Sequence, residues 1–111
     1  MASEQLKNYL RNNCYGRRNA VKSLKLERAL HISGNELRRQ VNRLRRNRVP
    51  ICSGPEGYFY ARNAGEVHAT ICVLKDMLFG LTQAIDGLEE SLDRFGEEME
   101  DGAAGTGGSG G

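Results

Sequence analysis

The chain has 111 residues, 27% of them charged, and a formal net charge of +2, which allows one small globular domain plus an extension but not two full cores. The near-neutral total conceals an asymmetry, because residues 1–62 hold fourteen Lys or Arg against four Asp or Glu, and residues 63–111 hold two against ten. A small basic domain favours a polyanionic partner, nucleic acid first, since each phosphate contact releases condensed counterions, and the acidic half is repelled by that same partner.

Other classes are disfavoured. Cys14, Cys52 and Cys72 are odd in number and lack C-x-x-C spacing, with only His31 and His68 to assist them, so neither a disulfide framework nor a zinc site is expected. No apolar run approaches the ~18 residues of a membrane span, and no charged-then-apolar leader is visible, so a cytoplasmic, reducing setting and no membrane partner are expected. A nucleophile elbow, a phosphate-cradling glycine loop and a metal-ligand cluster are all missing from the pattern. No catalytic residue, metal or cofactor is therefore expected, and the chain does not read as an enzyme. The acidic pairs Glu89-Glu90 and Glu97-Glu98 are expected to lie on a solvated helix.

In chain order, Ser3 is placed to cap a first helix over about Glu4 to Asn12, with Leu6, Tyr9 and Leu10 on one side and Asn12, Asn13 and Gly16 ending it. Ala20 to Lys22 suits a brief strand. Ser23 is placed to cap a second helix, Leu24 to Leu30, whose apolar members are Leu26, Ala29 and Leu30. His31 then occupies a tight helix-to-helix turn that requires a residue tolerant of positive φ. Ser33-Gly34-Asn35-Glu36 has the capping-box form, in which serine and glutamate each satisfy an orphan backbone donor. It opens a third helix, Gly34 to about Asn47, with Leu37, Val41 and Leu44 inward and Pro50 blocking continuation. Val49 to Ser53 and Tyr58 to Ala61 read as strands joined by the four-residue turn Gly54-Pro55-Glu56-Gly57.

Helix, helix, tight turn, helix, hairpin is the order of a winged helix-turn-helix domain, in which the helix after the turn enters the DNA major groove. With Leu37, Val41 and Leu44 inward, Asn35, Arg39, Asn42 and Arg46 lie near the opposite meridian, flanked by Arg38 and Arg43. Arg can donate two bonds to guanine and Asn can exchange two with adenine, so this ridge can read sequence as well as grip phosphate. Arg48 and Arg62, at the hairpin base, are placed to touch the DNA backbone. Tyr58, Phe59 and Tyr60 read as strand packing ahead of base stacking.

Leu30-His31-Ile32-Ser33, Glu36-Leu37-Arg38-Arg39, Val41-Asn42-Arg43-Leu44-Arg45, Val49-Pro50-Ile51-Cys52-Ser53 and Gly57-Tyr58-Phe59-Tyr60-Ala61 together resemble small winged-helix proteins of bacterial prophages. They are more distantly similar to the DNA-binding domain of biotin-repressor-type regulators. The resemblance covers roughly positions 20 to 62 and the pattern of an appended helix. It implies that Asn35, Arg38, Arg39, Asn42 and Arg43 form the groove-facing set and that Tyr58 and Tyr60 belong to the wing. Two positions depart from that pattern: His31 stands where glycine is usual, and the wing tip carries Glu56 with no basic residue, where a carboxylate repels phosphate.

Asn63-Ala64-Gly65-Glu66 resembles a second capping box and introduces a long arm. Val67, Ile71, Leu74, Leu78, Leu81, Ile85, Leu88, Leu92, Phe95 and Met99 alternate at steps of four and three, which draws one narrow apolar seam along a helix. Unbroken to Asp101, the helix would be on the order of 55 Å long at ~1.5 Å per residue. With Ile71 at a, the e and g positions carry few charges, so parallel and antiparallel pairings both stay open, and Cys72, Val73, Met77 and Phe79 widen the apolar surface of the first heptads. The first part of the arm is expected to dock on the basic domain or to bundle more than two helices, and the later part to space the DNA-reading heads. Residues 102–111, nearly all Gly, Ala, Ser and Thr, are expected to be a flexible tail.

The expected organisation is a winged helix-turn-helix domain over 1–62, an oligomerisation helix over 63–101 and the tail, an α+β fold that is mainly α with a small hairpin. The expected function is sequence-specific double-stranded DNA binding by a homodimer or higher oligomer, a phage or bacterial transcriptional regulator. A replication-accessory or architectural DNA binder is the alternative. A protein adaptor that recruits other phage or host proteins through the acidic arm is a second one.

Overall fold

The structure, a computed structural model, describes residues 2–96; the tail expected over 102–111, the seam position Met99 and the expected helix end at Asp101 lie outside them. Helices α1 (Ala2–Asn13), α2 (Ser23–Leu30) and α3 (Gly34–Arg46) precede strands β1 (Ile51–Gly54) and β2 (Gly57–Tyr60), and the long helix α4 (Ala64–Ser91) follows. The fold is α+β, mostly helical with one two-stranded antiparallel hairpin. Contacts divide the chain into one unit over Met1–Val73 and a second beginning at Leu74, so the first turns of α4 belong with the shorter helices and the hairpin.

The core of the first unit gathers one face of each short helix and of the hairpin: Leu6 and Leu10 from α1, Leu26 from α2, Leu37, Val41 and Leu44 from α3, and Ile51, Cys52 and Phe59 from the hairpin. Phe59 is fully buried, and a side chain of that size contributes about 1.5–3 kcal/mol on leaving water. The pattern on α2 needs one correction, since Leu26 is buried and Leu30 half-buried while Ala29 faces solvent.

Two expected caps are displaced. Helix α1 already includes Ala2 and Ser3, so Ser3 does not cap it. Ser23 is the first residue of α2, and the N-cap is Lys22, extended at φ −66°, ψ 150°. The cause lies one residue earlier. The brief strand expected at Ala20–Lys22 reduces to Val21, whose N–H donates to the Tyr58 carbonyl (2.9 Å) and whose carbonyl accepts from the Tyr58 N–H (2.8 Å). That pairing holds the chain extended up to Lys22, and the helix starts immediately after it. A short 3-10 turn, Arg17–Asn19, precedes Val21 without any signal in the sequence pattern.

His31 takes the left-handed conformation expected of it, φ 57°, ψ 47°. Helix α3 ends at Arg46, one residue before the expected Asn47, because the chain closes a Schellman motif there: the Val49 N–H donates to the Leu44 carbonyl (2.9 Å) and the Arg48 N–H to the Arg45 carbonyl (3.0 Å). Arg48 is thereby placed at φ 69°. The strands pair Ile51 with Tyr60, Cys52 with Phe59 and Ser53 with Tyr58, and Gly54 and Gly57 close the ladder around Pro55-Glu56. Strand β1 begins at Ile51, not Val49, because the Val49 N–H is spent on Leu44 and Pro50 has none to donate.

The Asn63 cap is present, its Oδ1 accepting from the Glu66 N–H at 3.0 Å. Helix α4 stops at Ser91, well short of the expected end. Its last turn has no basic residue, Glu89 and Glu90 oppose the helix dipole, and the Ser91 hydroxyl donates back to the Leu88 carbonyl (2.6 Å). A 3-10 turn, Leu92–Arg94, follows.

Candidate nucleic-acid interface

Helix α3 is held from three directions. At its start, the Ser33 hydroxyl accepts from the Glu36 N–H at 3.1 Å. The reciprocal half of the expected capping box is replaced: the Glu36 carboxylate accepts from Arg39 Nη1 and Gln40 Nε2, both at 3.1 Å, and these bonds hold its pKa below the ordinary carboxylate range, Gln40 contributing most. On its inner face Leu37, Val41 and Leu44 are buried, together with Gln40 at 1% exposure. Gln40 is one turn from both Leu37 and Leu44, a position that marks it as inward despite its polarity.

The third restraint is Arg45. Its Nε donates to the Ile51 carbonyl (2.8 Å) and its Nη2 to the Ser53 hydroxyl (3.1 Å), so the end of α3 is tied to β1. Partial burial lowers the pKa of its guanidinium. Arg45 is therefore separated from the other basic residues of this stretch: it positions the helix and does not face outward. Its partners lie six and eight residues away, across the chain reversal, where helical periodicity gives no signal.

The other basic and amide side chains expected to meet DNA are left open to solvent. Asn35, Arg38, Arg39, Asn42, Arg43, Arg46 and Arg48 are all exposed. Arg38 donates to the Asn35 amide oxygen, and Arg39 pairs with Glu36 at 3.1 Å. Asn42, Arg43, Arg46 and Arg48 have no side-chain hydrogen bond among the described residues. An exposed ion pair of this kind is worth less than about 1 kcal/mol, so Arg39 can exchange Glu36 for a stronger acceptor at little cost.

The hairpin presents a different surface. Phe59 is buried, Tyr58 and Tyr60 are half-buried, and the Tyr60 ring stacks on Tyr15 with centroids 6.3 Å apart. Strand aromatics are thus engaged within the unit. At the tip Glu56 is exposed, and Lys22 reaches the turn beside it, its ammonium donating to the Pro55 carbonyl at 2.7 Å.

Glu66 closes the first unit in a way the capping pattern only half signals. Its carboxylate accepts from the Arg62 N–H (2.7 Å) and the Arg17 N–H (3.0 Å), joining the hairpin exit, the 3-10 turn and the start of α4. Those two donors, Arg62 first, hold its pKa down. Beside it, the Thr70 hydroxyl donates to the Ser53 carbonyl (3.4 Å) and accepts from the Ser53 N–H (3.3 Å), and the Cys52 thiol donates to the Glu66 carbonyl (3.5 Å). Val67, the first position of the seam, packs against this unit's own core. Burial raises the thiol pKa of both Cys14 and Cys52.

From Ile71 the seam is uncovered. Ile71, Leu74, Leu78, Leu81, Ile85, Leu88, Leu92 and Phe95 are all exposed, Leu88 to 70%. Six of them lie on α4, whereas Leu92 falls in the 3-10 turn and Phe95 just past it, a departure from one unbroken α-helix.

Among the described residues no three or more His, Cys, Asp or Glu side chains are grouped to hold a metal ion, and no helix is long and apolar enough to cross a membrane. Comparison with protein-family models, with curated proteins and with solved structures found no match for this chain.

Proposed function

We propose that the protein binds double-stranded DNA sequence-specifically as a homo-oligomer, a transcriptional regulator of phage or bacterial type, with α3 in the major groove. The observation that carries this reading is the outer ridge of α3, where Asn35, Arg39, Asn42 and Arg46 are exposed between Arg38 and Arg43 on a helix pinned at both ends. A pinned helix presents donors at fixed spacing, and bidentate base contacts require that. Arg48 adds a backbone contact at the end of the helix. The acidic, uncovered arm supplies self-association and leaves DNA contact to the basic unit. With Glu56 at its tip and its aromatics engaged, the hairpin supports α3 and does not lead the contact.

Selection of bound fragments from random duplex DNA tests the reading. A single enriched motif is expected. Arg39→Ala and Asn42→Ala should each cost about 1–3 kcal/mol of discrimination at one base pair. Binding with no preference over bulk DNA would favour the architectural or replication-accessory role. Binding to a protein partner that survives combined Arg38→Glu, Arg39→Glu and Arg43→Glu substitution would favour an adaptor.

A further inference from the structure

The second unit carries an apolar stripe, Leu74, Leu78, Leu81, Ile85, Leu88 and Leu92, all exposed. A Cβ built on Gly80 or Gly87 beside it would meet nothing within 4 Å. Charge and side-chain size are distributed unevenly along it. Residues 74–84 carry one base and one acid, Lys75 and Asp76, whereas residues 85–95 carry four acids, Asp86, Glu89, Glu90 and Asp93, against Arg94 alone. The g positions also change along the stripe, from bulky Met77 through Ala84 to Ser91.

We infer that this stripe is covered by the same stripe of a second copy running antiparallel, centred near position 83. The inference rests on the self-association included in the proposed function and adds its direction. In this register Leu74 meets the partner's Leu92, Leu78 the partner's Leu88, and Leu81 the partner's Ile85, so every residue of the stripe has an apolar counterpart. At the flanks Lys75 lies against the partner's Glu89, twice by symmetry, Met77 lies against the partner's Ser91, and Ala84 meets its own copy. Flanking e and g residues set helix orientation through such pairs. Lys75 and Glu89 are both exposed and form no ion pair among the described residues. A parallel pair also matches apolar residues along the stripe, but it stacks the acid-rich halves side by side, sets Lys75 against the partner's Thr70, a hydroxyl already bonded to Ser53, and joins no opposite charges across the seam.

The test uses the full chain with Cys72→Ser, since Cys14 and Cys52 are buried. Solution mass is measured first, then disulfide cross-linking of single Ala84→Cys and Leu78→Cys variants under mild oxidation. In the antiparallel pair the two copies of position 84 are adjacent, and the two copies of position 78 are about 15 Å apart along the axis, ten residues at ~1.5 Å each. A dimer that cross-links through Ala84→Cys and not through Leu78→Cys is the expected result. Lys75→Glu should weaken dimerisation roughly tenfold, and Lys75→Glu with Glu89→Lys should restore it. A dimer that cross-links only at position 78, or at neither position, overturns the antiparallel arm and leaves self-association intact, as does failure of the double exchange to restore it. A larger oligomer overturns the two-stranded arm, and a monomer overturns self-association itself. DNA preference, measured separately on the same samples, stands or falls independently.

Discussion

Alanine at position 57 would carry its Cβ to 2.1 Å from the Val21 carbonyl oxygen and 2.4 Å from the carbonyl carbon, at a φ of 121°. Both atoms in the way are backbone, so no side-chain rotation relieves the contact. That φ costs a non-glycine residue on the order of 1–3 kcal/mol. Separating the two backbones also breaks the reciprocal Val21–Tyr58 hydrogen bonds of 2.9 and 2.8 Å, at about 1 kcal/mol each. The expected loss for Gly57→Ala is about 3–5 kcal/mol, a large share of the ~5–15 kcal/mol that holds a small domain folded. Gly54→Ala is the matched control on the other side of the turn. Its φ lies outside the left-handed region and its nearest new neighbour is the flexible Glu56 carboxylate at 3.6 Å, so it should lose less than about 1 kcal/mol. Urea unfolding followed by circular dichroism measures both. Equal losses at the two glycines would refute the close approach of β2 to Val21.

Arg45→Met should destabilise the first unit by about 1–3 kcal/mol by removing two charge-assisted bonds to the hairpin, and urea midpoints report it. Glu66→Gln should alter the pH dependence of stability. A carboxylate whose folded pKa is depressed stabilises the fold above its unfolded value, ~4.3, and that contribution disappears as pH falls through the lower folded value. The wild type should therefore lose stability in acid below about pH 4.3, and Glu66→Gln should be weaker at neutral pH with a shallower acid limb. Unfolding midpoints taken from pH 7 to pH 2 decide this, and parallel curves would count against the Glu66 clamp. Arg48→Gln should weaken binding to all duplexes alike and reduce the slope of log affinity against log salt by about one, the signature of a lost phosphate contact. A change confined to one base position would instead assign Arg48 to base readout.

Much of the fold was legible because it depends on local rules. Apolar residues at steps of three and four placed Leu37, Val41 and Leu44 inward, and the outer ridge of α3 followed by geometry alone. His31 could be assigned to positive φ because a turn that short leaves few alternatives, and Asn63 and Ser33 could be assigned as caps because the cap and its N–H partner are three residues apart. Signals of the same type failed where distant chain intervened. Ser23 is a good cap by type, but Val21 pairing with Tyr58 moved the cap to Lys22. Arg48 has no intrinsic preference for a left-handed backbone and acquires one from the closure of α3 onto Leu44.

The candidate site divides along the same line. Sequence by itself determined the charge asymmetry, the basic outer ridge and the apolar seam, since these need only composition and helical periodicity. Tertiary structure alone decided that Arg45 supports the ridge while its neighbours remain outward, and that Glu66 joins three chain segments through the N–H groups of Arg62 and Arg17. It also decided where the seam changes use, with Val67 and Thr70 spent on the first unit and the residues from Ile71 onward left uncovered. The physical reason is range. Periodicity and capping act within about one helical turn, whereas these assignments rest on groups brought together by chain reversals, at distances along the sequence that no local pattern encodes.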